Sequence, residues 1–185
     1  SSCIAKLPPV WLRVGHEILA SITSTSGTLS SSASAAKSSI VSEFTLTTSG
    51  GLVDQADVAV DGTLVLGGAE TIDGLTGTGL VTLAGNTLTV GANNEAAAIY
   101  TGTFTADAGG LTKIGSGNQT LGATAYTGTT TVNAGILTLG ASSSTTLDVN
   151  GGTLNLGGAA SATTVTIDGG TLNSNSNLGI TADVA

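Results

Sequence analysis

The chain has 185 residues, 28 of them glycine and none methionine, and its net charge is −8. Between Ser38 and Ala185 the sole cation is Lys113, so nucleic acid binding, which needs clustered Lys and Arg to displace counterions, is all but excluded. An anionic membrane surface is disfavoured for the same reason. The hydrophobic fraction of 40% is ordinary, but aromatics make up only 3%, which predicts a thin core of small aliphatic layers instead of an aromatic-centred one.

Read from the beginning, the first stretch holds Pro8-Pro9, Trp11, His16 and two of the four cations, Lys6 and Arg13. Trp11, Val14, Ile18 and Ile22 sit at near-helical spacing, which admits a short amphipathic capping helix from Val10 to about Ile22, with a strand reading left open. Cys3 is the single cysteine, so no intrachain disulfide forms, and it reads as a terminal thiol of no consequence. No run of 18 apolar residues is present, so no membrane-spanning helix is expected. The chain starts at Ser without a visible signal peptide and reads as a mature or excised piece of something longer. Ser21 to Ser42 is rich in Ser, Thr and Ala and reads as a linker or loosely ordered edge. The expected division is therefore an atypical cap or linker over residues 1–45 and a repeat region over 46–185.

From Thr45 one phrase recurs: an aliphatic residue, Asp or Asn, small residues, then Thr or Ile, Leu, any residue, aliphatic. It reads Val60-Asp61-Gly62-Thr63-Leu64-Val65-Leu66, then Val132-Asn133-Ala134-Gly135-Ile136-Leu137-Thr138-Leu139. It returns as Val149-Asn150-Gly151-Gly152-Thr153-Leu154-Asn155-Leu156, as Ile167-Asp168-Gly169-Gly170-Thr171-Leu172, and more weakly as Gly85-Asn86-Thr87-Leu88-Thr89-Val90. A period of roughly 17 to 24 residues suits one solenoid coil. The alternation places Leu64, Leu66, Leu88, Val90, Leu137, Leu139, Leu154, Leu156, Val165 and Ile167 inward, and Thr, Asn and Ser outward. An antiparallel sandwich also uses Asn-Gly turns. It has no reason to reuse one phrase with the same inward leucines, whereas a coil stacked on its own copy does. The fold expected is all-β, a right-handed parallel β-helix of about seven coils, with each matching leucine above the last.

Gly109-Gly110-Leu111-Thr112-Lys113-Ile114-Gly115-Ser116-Gly117-Asn118-Gln119-Thr120-Leu121 runs into Tyr126-Thr127-Gly128-Thr129-Thr130-Thr131-Val132-Asn133-Ala134-Gly135-Ile136-Leu137-Thr138-Leu139. This stretch resembles the passenger-associated transport repeat of bacterial autotransporters. It departs from the family at Gln119-Thr120-Leu121, where Thr-Leu-Thr-Leu is usual, and the departure is read as harmless because Leu121 still supplies an inward aliphatic. The resemblance implies a β-helical passenger exported by a Gram-negative bacterium, with the repeats forming a stalk. It assigns no catalytic residue, cofactor or metal.

A β-helical lyase would need a carboxylate cluster for a metal and a base. Asp54, Asp57, Asp61 and Glu70 are the nearest thing to a cluster, but no Lys, Arg or His lies near them in sequence, and they read as solvated turn and strand-edge residues. His16, beside Glu17, has no nucleophile phrase nearby. Lys113 is expected to cover a turn or snorkel over the coil, and Trp11 to anchor an end cap. The pairs Thr87/Thr89, Thr103/Thr105, Thr129/Thr131 and Thr164/Thr166 would suit an ice-binding face only if consecutive coils kept them in register, and the uneven coil length argues against that. The leading expectation is a non-catalytic surface stalk or adhesin segment with a host or surface ligand. Self-association through open coil ends into an extracellular fibre is the alternative, and a carbohydrate-active enzyme the weakest one.

Overall fold

Short runs in which an aliphatic residue alternates with Thr, Ser or Asn extend readily, because branched side chains pack well on a pleated surface. A computed structural model describes residues 45–48, 52, 54–94 and 96–181, and the backbone of the earlier strands Val10–Val14, Glu17–Ile22, Gly27–Thr28 and Lys37–Ile40. It is an all-β solenoid of about seven turns. Lys37–Ile40 pairs antiparallel with Val10–Val14 on one side and parallel with Asp57–Val60 on the other, and among the described strands from Thr45–Thr48 onward every pairing is parallel. Cys3, Lys6 and His16, and the side chains of Trp11 and Arg13, lie outside the described residues.

The strands line three faces that the chain visits in turn. The first carries Lys37–Ile40, Asp57–Val60 and Leu75–Thr76, and the bridge Gly77↔Tyr100 continues it to Ala98–Tyr100, Asn118–Leu121, Ile136–Leu139, Thr153–Leu156 and Thr171–Ser174. The second carries Gly27–Thr28, Thr45–Thr48, Thr63–Leu66, Leu80–Thr82 and Thr103–Phe104. Thr124, Ser142, Ala160–Ala162 and Leu178–Ile180 hold the same place in the chain order of the later coils. The third carries Glu70–Ile72, Thr87–Val90, Gly110–Lys113, Thr129–Val132, Thr146–Val149 and Thr164–Ile167. Coils range from 17 residues, Val58 to Leu75, to 23 residues, Val81 to Phe104.

The recurring phrase marks corners, and this corrects the expectation of a single leucine column. Leu137, Leu154 and Leu172 do stack on the first face. Leu64 stacks between Leu46 and Val81 on the second face, and Leu88 between Glu70 and Leu111 on the third. All three corners need the same chemistry, a turn followed by an inward aliphatic, so each hosts a copy. At the corner after the third face Gly135 adopts φ 66°, and a Cβ there would lie 2.3 Å from the Gly117 carbonyl oxygen of the coil below. Only glycine fits that position.

Nine of the ten residues expected in the core are buried. Ile167 is the exception, 42% exposed on the outermost described strand of its face, where no further described coil covers it. The expected helix over Val10–Ile22 is also corrected: Val10–Val14 and Glu17–Ile22 are strands paired antiparallel. Val10, Val14, Ile18 and Ile22 are β-branched, which lowers helix propensity and favours extended backbone.

Candidate functional site

The chemistry-bearing side chains nominated from sequence do not converge. Asp54 and Asp61 are exposed at turns, Asp57 is half-buried on the first face, and Glu70 is buried on the third. Asp61 accepts hydrogen bonds from Thr78 N (3.2 Å) and Thr78 Oγ1 (3.4 Å) of the next coil. Glu70 points inward and accepts from Leu52 N at 3.0 Å. Asp61 and Glu70 thus bond backbone from one coil to another. Among the described residues no three His, Cys, Asp or Glu side chains are placed to hold a metal ion.

Lys113 was expected to cover a turn or snorkel over the coil; it does serve a turn, but from the inside. Strict alternation along Gly110–Lys113 turns its side chain inward, between Val90 and Val132, and leaves it 1% exposed. Its Nζ donates to the carbonyls of Ile114 and of Gly115 (3.0 Å), closing the corner that follows the strand. Burial pushes the ammonium pKa down, and attraction to buried Asp73 opposes that shift. Asp73 in turn accepts from Asn93 N at 2.8 Å. The arrangement is a charged corner clamp.

Two further polar groups escaped the sequence reading. Asp107 accepts from Gly109 N (2.8 Å), Ala84 N (3.0 Å), Thr105 Oγ1 (2.9 Å) and Leu83 N (3.0 Å), tying its own loop to the turn of the preceding coil. Burial alone would raise its carboxyl pKa; these hydrogen bonds outweigh it and hold the group below the ordinary aspartate value. The Asp-x-Gly spacing of a turn was the available signal. Gln119 takes the inward position of a leucine, 2% exposed, and its amide bonds the backbone of Leu75. Its departure from the repeat pattern was the signal, and it was passed over.

The aromatic side chains are equally structural. Tyr100, Phe104 and Tyr126 pack edge to face at centroid distances of 5.4 and 5.6 Å, and all three are buried. Tyr126 Oη shares a hydrogen bond with Thr130 Oγ1 (2.9 Å), which bonds Ser144 Oγ (2.7 Å). Burial pushes the Tyr126 phenol up to about 12. No described aromatic offers a platform for a sugar ring.

Outside the core, the three faces differ. The first cross-links its own surface, with Asn155 Nδ2 donating to Thr138 Oγ1 and Asn173 Nδ2 to Asn155 Oδ1. The third presents threonines to solvent in two columns that stay in register from coil to coil. The expectation that uneven coils would spoil this registry is overturned: the longer coils place their extra residues in corners, at 92–97 and 105–109, and not in the strands.

Comparison with known families finds one match. Residues 111–139 fit the family described as passenger-associated-transport-repeat. No curated protein and no solved structure matches the chain. The matched stretch runs from Leu111 of the third face to Leu139 of the first, a little over one coil of the stack. Such a repeat suggests a structural passenger segment at a secreted or cell-surface location. The chain thus carries a passenger-associated-transport-repeat inside a β-solenoid, as fits a repeat of an autotransporter passenger.

Proposed function

We propose that the chain is a non-catalytic stalk or adhesin segment of an autotransporter-type passenger, displayed outside the outer membrane of a Gram-negative bacterium. The observation that carries this reading is the transport repeat at 111–139 lying within a stack of parallel coils. Each coil buries its aliphatics only against the next, so stability grows rung by rung and a long rod results. The inward Gln119 amide and Lys113 ammonium serve a coil junction and a corner. In this reading residues 1–45 are an N-terminal cap or linker; the antiparallel pairing of Val10–Val14 with Glu17–Ile22 supports a cap, while Gly27–Thr28 and Lys37–Ile40 join it to the coils by parallel pairing.

The test is display. The full chain is placed between a signal peptide and an outer-membrane translocator barrel, and whole cells are probed with antibody and protease. The expected result is antibody access on intact cells with a protease-resistant stalk. Retention in the periplasm, or turnover of polygalacturonate above a buffer control, would overturn the proposal. Self-association into an extracellular fibre is the second reading. Sedimentation and electron microscopy of the purified chain decide it: filaments support this reading and a monomer rejects it.

A further inference from the structure

On the third face, Thr71, Thr89, Thr112, Thr131 and Thr166 form one outward column, interrupted once by Asp148. Thr87, Thr129, Thr146 and Thr164 form a second column beside it, with Gly110 filling the gap. None of these nine side chains makes a hydrogen bond within the described structure. Thr78, Thr105 and Thr127 at corners, and Thr138 on the first face, do have protein partners. The third face therefore offers an ordered set of free hydroxyls and methyls, with a single charge.

The spacing follows from strand geometry. Successive coils place column neighbours about 4.8 Å apart, and a Thr-x-Thr pair spans about 6.7 Å along the strand. Both distances are close to oxygen repeats on a face of hexagonal ice. Threonine suits such a lattice because its branched Cβ stiffens χ1. Each residue then repeats the same methyl and hydroxyl placement, and little rotamer freedom remains to be lost on binding. The neighbouring faces lack this regularity. The first is broken by Ile99, Asn118, Ile136, Asn155 and Asn173, and the second by Val65 and Leu80.

We propose that the third face is an ice-binding surface whose ligand is the water lattice of crystalline ice. The face is built for an extended, uncharged, periodic partner. A crystalline glycan is the other such partner, but it would need stacking aromatics, and the described ones are buried. The proposal is independent of how the rod is displayed, and its failure would leave the stalk reading untouched.

The experiment grows ice slowly from a dilute solution of the full chain and measures protein in the ice and in the remaining liquid. The chain is expected to enter the ice well above the level of a non-binding protein. Thr112→Lys with Thr131→Lys, mid-column, should abolish incorporation, while Thr138→Lys on the first face should leave it unchanged. Circular dichroism melting of each variant checks folding. Should the double variant melt early, ice-crystal shaping and thermal hysteresis by the unaltered chain decide the matter. Exclusion of the unaltered chain from ice overturns the proposal. So does equal loss in Thr138→Lys, or incorporation that survives the double substitution in a folded protein. Binding to microcrystalline cellulose without entry into ice overturns it in favour of a glycan.

Discussion

The carboxamide of Gln119 accepts a hydrogen bond from Leu75 N at 2.9 Å and donates one to Leu75 O at 2.8 Å, across 44 residues of sequence and two coils. Ala98 lies between them in the same column, small enough to let the longer side chain pass. The reason is local. Leu75–Thr76 is the last strand of its sheet on the first face, and only the single bridge Gly77↔Tyr100 joins it to the coil above. The side-chain amide therefore replaces the missing strand, satisfying a donor and an acceptor that the gap would leave buried and unpaired.

Gln119→Leu restores the leucine usual in the repeat and adds apolar volume, yet it should destabilise the chain by about 1–3 kcal/mol, the cost of stranding buried backbone groups. Urea unfolding measures the difference. Unchanged or increased stability would show that the bonds to Leu75 carry no weight.

Lys113→Met should cost on the order of 3 kcal/mol, because two carbonyls lose a charged donor and buried Asp73 loses its nearby cation. Adding Asp73→Asn should recover part of the loss. A double-mutant cycle reads the coupling, and strict additivity would mean that the two charges do not interact.

Asp107 gives a pH dependence with a definite sign. Its folded pKa lies below the unfolded value, so its contribution is present above the unfolded pKa of roughly 3.9 and is lost as pH falls through the folded one. Below about pH 4 the unfolded chain binds more protons, and stability falls. Asp107→Asn should lower stability at neutral pH and flatten the acid limb. Parallel acid limbs in the two proteins would assign the acid sensitivity to another carboxylate.

Leu154 stacks between Leu137 and Leu172 and is fully buried. Burying a leucine contributes roughly 1.5–3 kcal/mol. Leu154→Asp loses that and introduces an unpaired charge in a core one side chain thick, so the chain should fail to melt cooperatively at ordinary temperature. Leu154→Val should cost far less. Similar melting of the aspartate variant and the parent would contradict the stacked core.

Alternation of Leu, Val and Ile with Thr and Asn, together with the Asp-Gly and Asn-Ala-Gly corners, was enough to establish a solenoid of short parallel strands. Both patterns are local: side-chain direction has a period of two, and a turn of positive φ favours glycine whatever lies beyond it. The stretch ending at Leu139 likewise announced its repeat family from residue order alone. Which face each strand occupies was not legible. One phrase serves all three corners, so Leu64, Leu88 and Leu137 look equivalent in sequence and are separated only by closing the coil. Inward Lys113 and Gln119 follow the alternation as faithfully as any leucine. What makes them tolerable is the partners that folding supplies, the Gly115 carbonyl of its own corner and Asp73 of another coil for Lys113, and the Leu75 backbone for Gln119. The threonine columns were present in the sequence as isolated pairs. Whether corners or strands absorb the extra residues of a long coil is settled by inter-coil hydrogen bonding, so their registry belongs to the tertiary structure.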